Sequence, residues 1–144
     1  MHAFPHLYSV TAGADPGSPV TLNSPGLASL SSAAPKEFDG PGNLWSPETL
    51  VTAAVTDCFI LGFKAIAAAS KFSWTSLETS TEGTLERIEG KTRFTKFVTR
   101  ATLKLPAGGD AVRGKQLLEK AEHICLIANS LNAERQLEAS VTVG

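Results

Sequence analysis

Two thiols and one carboxylate are the side chains with which this sequence could do chemistry. Cys58 lies inside the stretch SPETLVTAAVTDCFILGFKAIAAASK (46–71), Cys125 inside AEHICLIANSL (121–131), and Glu48 stands near the start of the first stretch. A thiol acts as a nucleophile only as its thiolate, and the same ionised sulfur is what an oxidant converts to a sulfenic acid. The first residues, MHAFPHLYSV, lack the basic start and apolar run of a secretory signal. The expected location is therefore the cytoplasm, where thiols stay reduced. Two cysteines there are reactive or simply buried rather than a permanent staple. Two Cys and three His, widely scattered, do not make a zinc motif. His123 falls two residues before Cys125, on nearly the opposite side of a helix. Asp57 projects about 100° away from Cys58. Neither is expected to act on a thiol.

These residues need elements to hold them. Ser46 is a good helix cap, Pro47 suits the first helical position, and Glu48 places a negative charge in the first turn. An apolar run without proline follows to Lys71. Leu50, Ala54, Leu61, Ala65 and Ala68 share one face, while Val51, Val55, Phe59, Ile60 and Phe63 cover much of the rest, the pattern of a buried helix. At 1.5 Å per residue the helix is about 36 Å long. Thr52, Thr56, Asp57 and Lys64 interrupt it, so it reads as a core helix and not as a membrane span.

Before it, prolines crowd the chain, and short β-like runs at 6–11, 19–22 and 27–31 are separated by Asp15-Pro16-Gly17 and Ser24-Pro25-Gly26 turns. This predicts a small antiparallel meander over residues 1–45, followed by a loop whose Trp45 could staple the start of the helix. Behind the helix, residues 72–105 read as a hairpin with its turn at Glu89-Gly90. Phe97, Thr99, Ala101, Leu103 and Leu105 face inward, and Lys96, Arg100 and Lys104 face outward. Asp110 can cap a second helix over 111–130 with Val112, Leu117, Ala121, Ile124, Cys125 and Ala128 inward. A last strand over 135–143 alternates Leu137, Ala139, Val141 and Val143. The class is α+β, a sheet wrapped around a central helix.

The 144 residues suit one domain, and a net charge of −1 with 19% charged residues offers no basic stripe for nucleic acid.

The string Trp45-Ser46-Pro47-Glu48-x-Leu50, then Ala53-Ala54 and Cys58, with Cys125 in a late helix, resembles the OsmC/Ohr family of thiol peroxidases. The order of elements matches over nearly the whole chain. Cys125 is followed by LIANSL and not by the Pro-Tyr-Ser-Asn of the Ohr branch, so the chain looks more like the OsmC-like branch. The resemblance implies an intertwined homodimer, with antiparallel β-sheets around two long helices and active sites at the subunit interface. It also implies reduction of organic hydroperoxides without metal or cofactor. In that scheme Cys58 is the peroxidatic thiol, Cys125 the resolving thiol, and an external dithiol restores both.

The resemblance gives Glu48 the task of holding an arginine beside the reactive thiol. Ten residues of helix are about 15 Å, so Glu48 would serve the thiol of a partner subunit. On the bare sequence it is equally a first-turn carboxylate favoured by the helix dipole. The Ohr pattern draws its activating arginine from the N-terminal region, whereas the first arginine here is Arg87, and before the helix stand only Lys36 and the titratable His2 and His6. Lys36, Arg87, Arg93 and Arg100 are the substitutes on offer, and none is assigned. The alternative is a binding or stress-associated protein on the same fold, with two thiols that only fill a core.

Overall fold

The computed structural model describes residues 1–144, and the chain separates into two compact units, Met1–Leu50 and Val51–Gly144. The first unit is a meander of β1 (Thr11–Gly13), β2 (Val20–Asn23) and β3 (Leu30–Ser32), antiparallel in the order β1-β2-β3. The strands start later than the apolar runs suggested because the turns set the register. Pro25 and Gly26 (φ 76°) occupy the central positions of a turn closed by Leu27 N–H to Ser24 O at 3.1 Å, so pairing resumes only at Leu30. His6 to Val10 join no strand ladder and stay outside β1, although the Ser24 hydroxyl donates to Ser9 O at 2.9 Å. A 3-10 turn at Lys36–Phe38 follows.

Helix α1 (Pro47–Ala69) starts from a reciprocal cap. The Thr49 N–H donates to Ser46 Oγ at 3.1 Å and the Ser46 N–H donates to Thr49 Oγ1 at 2.8 Å, a capping box with threonine in place of glutamate. Trp45 remains 48% exposed. The chain ahead of the cap is fixed by backbone instead: Ser32 bridges Trp45, and the Ala33 N–H donates to Trp45 O at 2.9 Å.

In the second unit, β4 (Ser76–Ile88) and β5 (Lys91–Leu105) form the expected hairpin. Glu89 (φ 51°) and Gly90 (φ 78°) both adopt the left-handed backbone that a tight two-residue turn requires. The alternation along β5 is as read: Phe97, Thr99, Ala101, Leu103 and Leu105 are buried, while Arg100 and Lys104 are exposed. Helix α2 (Ala111–Ile124) is capped by Asp110, whose carboxylate accepts the Arg113 N–H at 2.9 Å. β6 (Glu134–Val143) completes the sheet in the order β4-β5-β6.

The core of this unit gathers Phe59, Phe63, Ile66 and Ala67 of α1, the inward face of β5, and Leu117, Leu118 and Ala121 of α2.

Four expectations are corrected here. The sheet is not antiparallel throughout, because β6 runs parallel to β5, from Lys96↔Glu134 to Leu105↔Val143. The helical connection over 106–133 returns the chain to the end where β5 began, and only a parallel strand can follow it. The second helix is not continuous over 111–130: it breaks at Cys125, after which a short helix α3 (Leu126–Asn129) starts afresh. Val112 and Ile124 do not face inward, being 71% and 45% exposed. The buried stripe of α2 is Gly114-Leu117-Leu118-Ala121, rotated so that Gly114 meets Leu103, where a Cβ would lie 3.2 Å from Leu103 Cδ2. Finally, α1 is not buried on most sides. By length and hydropathy alone it could cross a membrane, but its buried residues form one stripe, Val55, Phe59, Phe63, Ile66 and Ala67, set in the core. Leu61 on another side is 56% exposed.

Candidate functional site

Helical periodicity decides where Cys58 points. Val55, Phe59 and Phe63 define the inward stripe, and Cys58 lies one residue off it, on a flank with Ala54, Leu61 and Gly62. That flank stays partly open, and so does the Cys58 thiol. Ala54, Asp57, Cys58, Leu61 and Gly62 of α1 form one wall of a cleft of about 490 Å³, and Ile124 to Ile127 at the α2–α3 junction form the other. The two helices pass each other at Gly62, where a Cβ would lie in ordinary contact, 3.9 Å from Ala121 O.

Cys125 occupies the break itself. Its backbone (φ −59°, ψ 104°) leaves the helical region, so it terminates α2 and caps α3 in the same residue. Its N–H donates to Glu122 O at 3.3 Å and its carbonyl accepts the Asn129 N–H at 2.9 Å. The thiol is 1% exposed and lies 3.9 Å from Val55 O, to which it can donate. Burial pushes the Cys125 thiol above its ordinary range. The Ala128 backbone N–H, bonded to the sulfur, pulls the other way without overcoming burial. A hydrogen bond with Cys58, the charge Cys58 carries as thiolate, and the charge of Glu122 all raise it further. The two thiols are therefore neighbours, both reduced.

The structure thus brings Cys58 and Cys125 together in one apolar cleft. Glu48 is not among the residues that line it; it stands in the first turn of α1, about 15 Å back along the axis. Lys36, Arg87, Arg93 and Arg100 do not line it either, and Arg100 is engaged by Glu138 at 2.7 Å. Asp57 supplies the one charge on the cleft wall. His123 is exposed, as its position implied. No three His, Cys, Asp or Glu side chains converge in a way that would hold a metal.

A set of residues beside Cys125 escaped the sequence reading. Arg135, at the start of β6, donates through Nε to Glu122 Oε1 at 2.7 Å, through Nη2 to the Glu122 carbonyl, and through Nη1 to Asn129 Oδ1. One signal could have exposed it. Arg135 is in phase with Leu137, Ala139 and Val141 on the inward side of β6, and a charge on an apolar face must find partners.

With this geometry in hand, the chain can be set beside known proteins. The model of the OsmC-like protein family matches residues 40–140. YmaD of Bacillus subtilis, itself uncharacterized, is 31% identical over 115 residues, 76% of this chain and 77% of that one. Peroxiredoxin OsmC of Escherichia coli is 27% identical over 93 residues, 65% of this chain and 64% of that one. An OsmC-like protein of unknown function from Vibrio cholerae superposes with a TM-score of 0.86 at 21% identity, covering 94% of this chain and 100% of that one.

Proposed function

Starting from the fact that the chain belongs to the OsmC-like family, we propose that it is a thiol-dependent peroxidase acting on organic hydroperoxides. The observation that carries this reading is the pairing of a half-open thiol, Cys58, with a buried one, Cys125, across an otherwise apolar cleft. Similarity to a peroxiredoxin supports it.

The Cys58 thiolate attacks the distal oxygen of the hydroperoxide and the O–O bond breaks. Cys58 becomes a sulfenic acid, and the alkoxide leaves and takes up a proton as the alcohol. The Cys125 sulfur then attacks the Cys58 sulfur, expels the hydroxyl as water and closes a disulfide. The sum is two thiols plus one hydroperoxide giving one disulfide, one alcohol and one water. An external dithiol restores both thiols by exchange, which suits a cytoplasmic setting. Walls built from Leu61, Ile124, Leu126 and Ile127 favour an alkyl or aryl hydroperoxide over hydrogen peroxide.

Proteins of this family are typically homodimers. In such a dimer the exposed Leu61 and Leu126 at the cleft rim would be covered, and Glu48 of the partner subunit would be the carboxylate that orients a cation toward Cys58.

Intact mass tests the reading. Reduced protein treated with cumene hydroperoxide should lose two hydrogens as the alcohol accumulates, and Cys58→Ser should do neither. Wild-type protein that neither closes the bridge nor consumes peroxide would refute it.

One observation favours a second reading, a small-ligand-binding protein on the same fold. No cation lines the cleft, and its one charge is the Asp57 carboxylate. That reading predicts apolar ligand binding with no consumption of hydroperoxide.

A further inference from the structure

Helices usually end at glycine or proline, and neither stands at the break in front of Cys125. In an unbroken helix the Glu122 carbonyl would accept the N–H of residue 126. Here that carbonyl accepts the Cys125 N–H at 3.3 Å together with a bond from Arg135, and the same guanidinium pairs with the Glu122 carboxylate and reaches Asn129 on α3. It is thus bonded on both sides of Cys125. Its positive charge also lies at the negative end of the α2 dipole, where a cation is favoured. Arg135 and Glu122 are both largely shielded from solvent, which leaves the fork little freedom to let go.

From this arrangement we infer that Arg135 is a positioning residue for Cys125. It ends α2 one residue early and starts α3 at the angle that aims the Cys125 thiol at Cys58. The inference rests on the peroxidase reading above and adds to it a residue for the second chemical step only. Attack of the Cys58 thiolate on the hydroperoxide does not involve the brace. Attack of the Cys125 sulfur on the Cys58 sulfenic acid, with loss of water, does. When that attack is slow, the sulfenic acid meets a second hydroperoxide, gains an oxygen and becomes a sulfinic acid that dithiols do not reduce.

The test separates the two steps in Arg135→Gln, Arg135→Lys and Asn129→Ala. Dimedone trapping gives the rate of sulfenic acid formation, and intact mass partitions the product between disulfide and sulfinic acid under excess cumene hydroperoxide. Closure of the Cys58–Cys125 bridge by diamide, which needs no hydroperoxide, is timed separately. The expected result is sulfenic acid formation within about twofold of wild type. Bridge closure slows by about tenfold or more in Arg135→Gln by either oxidant, with sulfinic acid rising in step. Arg135→Lys should fall between, since an ammonium cannot fork to both helices. Asn129→Ala removes one arm and should give a smaller loss in the same direction, which keeps the test open should Arg135→Gln fail to fold. Closure and partition equal to wild type in every folded variant would overturn the inference and leave the peroxidase reading standing. Equal slowing of both steps would overturn it as well. Wild-type protein that forms no sulfenic acid but closes under diamide, with Arg135→Gln slow to do so, would refute the peroxidase reading and keep Arg135 in its positioning role.

Discussion

The two cysteines sit on opposite kinds of backbone. Cys58 rides in the middle of α1, which runs without interruption from Pro47 to Ala69 and is fixed by the Phe59 and Phe63 rings beside it. Cys125 sits at a break between a helix of fourteen residues and one of four, held by side-chain bonds from a distant strand. Covalent closure requires two sulfurs about 2 Å apart, so at least one must move. The regular helix holds its thiol still and half open. The broken one buries its thiol and aims it from a braced joint. On the peroxidase reading, a nucleophile that must receive substrate and a resolving thiol aimed at it call for this division.

The largest effect should come from the fixed side. Cys58→Ser should abolish hydroperoxide consumption to the uncatalysed level, as followed by the loss of cumene hydroperoxide. Cys125→Ser should allow one oxidation per thiol, trapped as a dimedone adduct, and then halt. A Cys125→Ser protein that turned over at the wild-type rate would end the distinction between the two sulfurs.

Scaffold stability is the next lever. Phe59 is 0% exposed, and Phe59→Ala should cost about 3–5 kcal/mol in urea unfolding through the cavity it leaves. A loss below 1 kcal/mol would mean that α1 is not the rigid partner.

One pH dependence belongs to Cys125. Its native thiol holds the proton more tightly than the unfolded one, burial being the main cause. The corresponding stability is complete below the ordinary thiol value and is lost as pH rises through the raised native value. As pH rises above the ordinary thiol value of about 8.5, the reduced wild-type protein should therefore lose stability faster than Cys125→Ala. Parallel curves for the two proteins would contradict the raised value.

The smallest effect concerns the link between α1 and the sheet. Thr56 Oγ1 and Thr79 Oγ1 lie 2.6 Å apart, and Thr56→Val should cost about 1 kcal/mol, leaving Cys58 oxidation unchanged.

How much of this the sequence disclosed depends on how local each signal is. The inward face of β5 was legible because Phe97 to Leu105 alternate sharply against Arg100 and Lys104. The hairpin turn was legible because Glu89-Gly90 is a tight-turn pair. The start of α1 was legible in Ser46-Pro47, although the box closes through Thr49 and not through Glu48. The pairing of Cys58 with Cys125 came with the family likeness, since nothing local ties residues so far apart. The break at Cys125 had no local sign either: the group that ends α2 comes from Arg135, in another element. The partial exposure of α1 was misread for a related reason. An apolar side chain on a helix records that something covers it in the working molecule, and Leu61 carries that record without a cover inside its own chain.

The parallel course of β6 has a consequence in time. The β4–β5 hairpin closes over two residues and can nucleate by itself, whereas β6 can join β5 only after the whole helical crossover has been laid down. Arg135 travels with that strand, so the clamp on the Cys125 break is expected among the last contacts to assemble. On the peroxidase reading, a folding chain would until then carry Cys58 with no aimed mate, and hydroperoxide met at that moment would ruin the sulfur for good. Refolding in the presence of hydroperoxide should leave more sulfinic acid than the same exposure after folding.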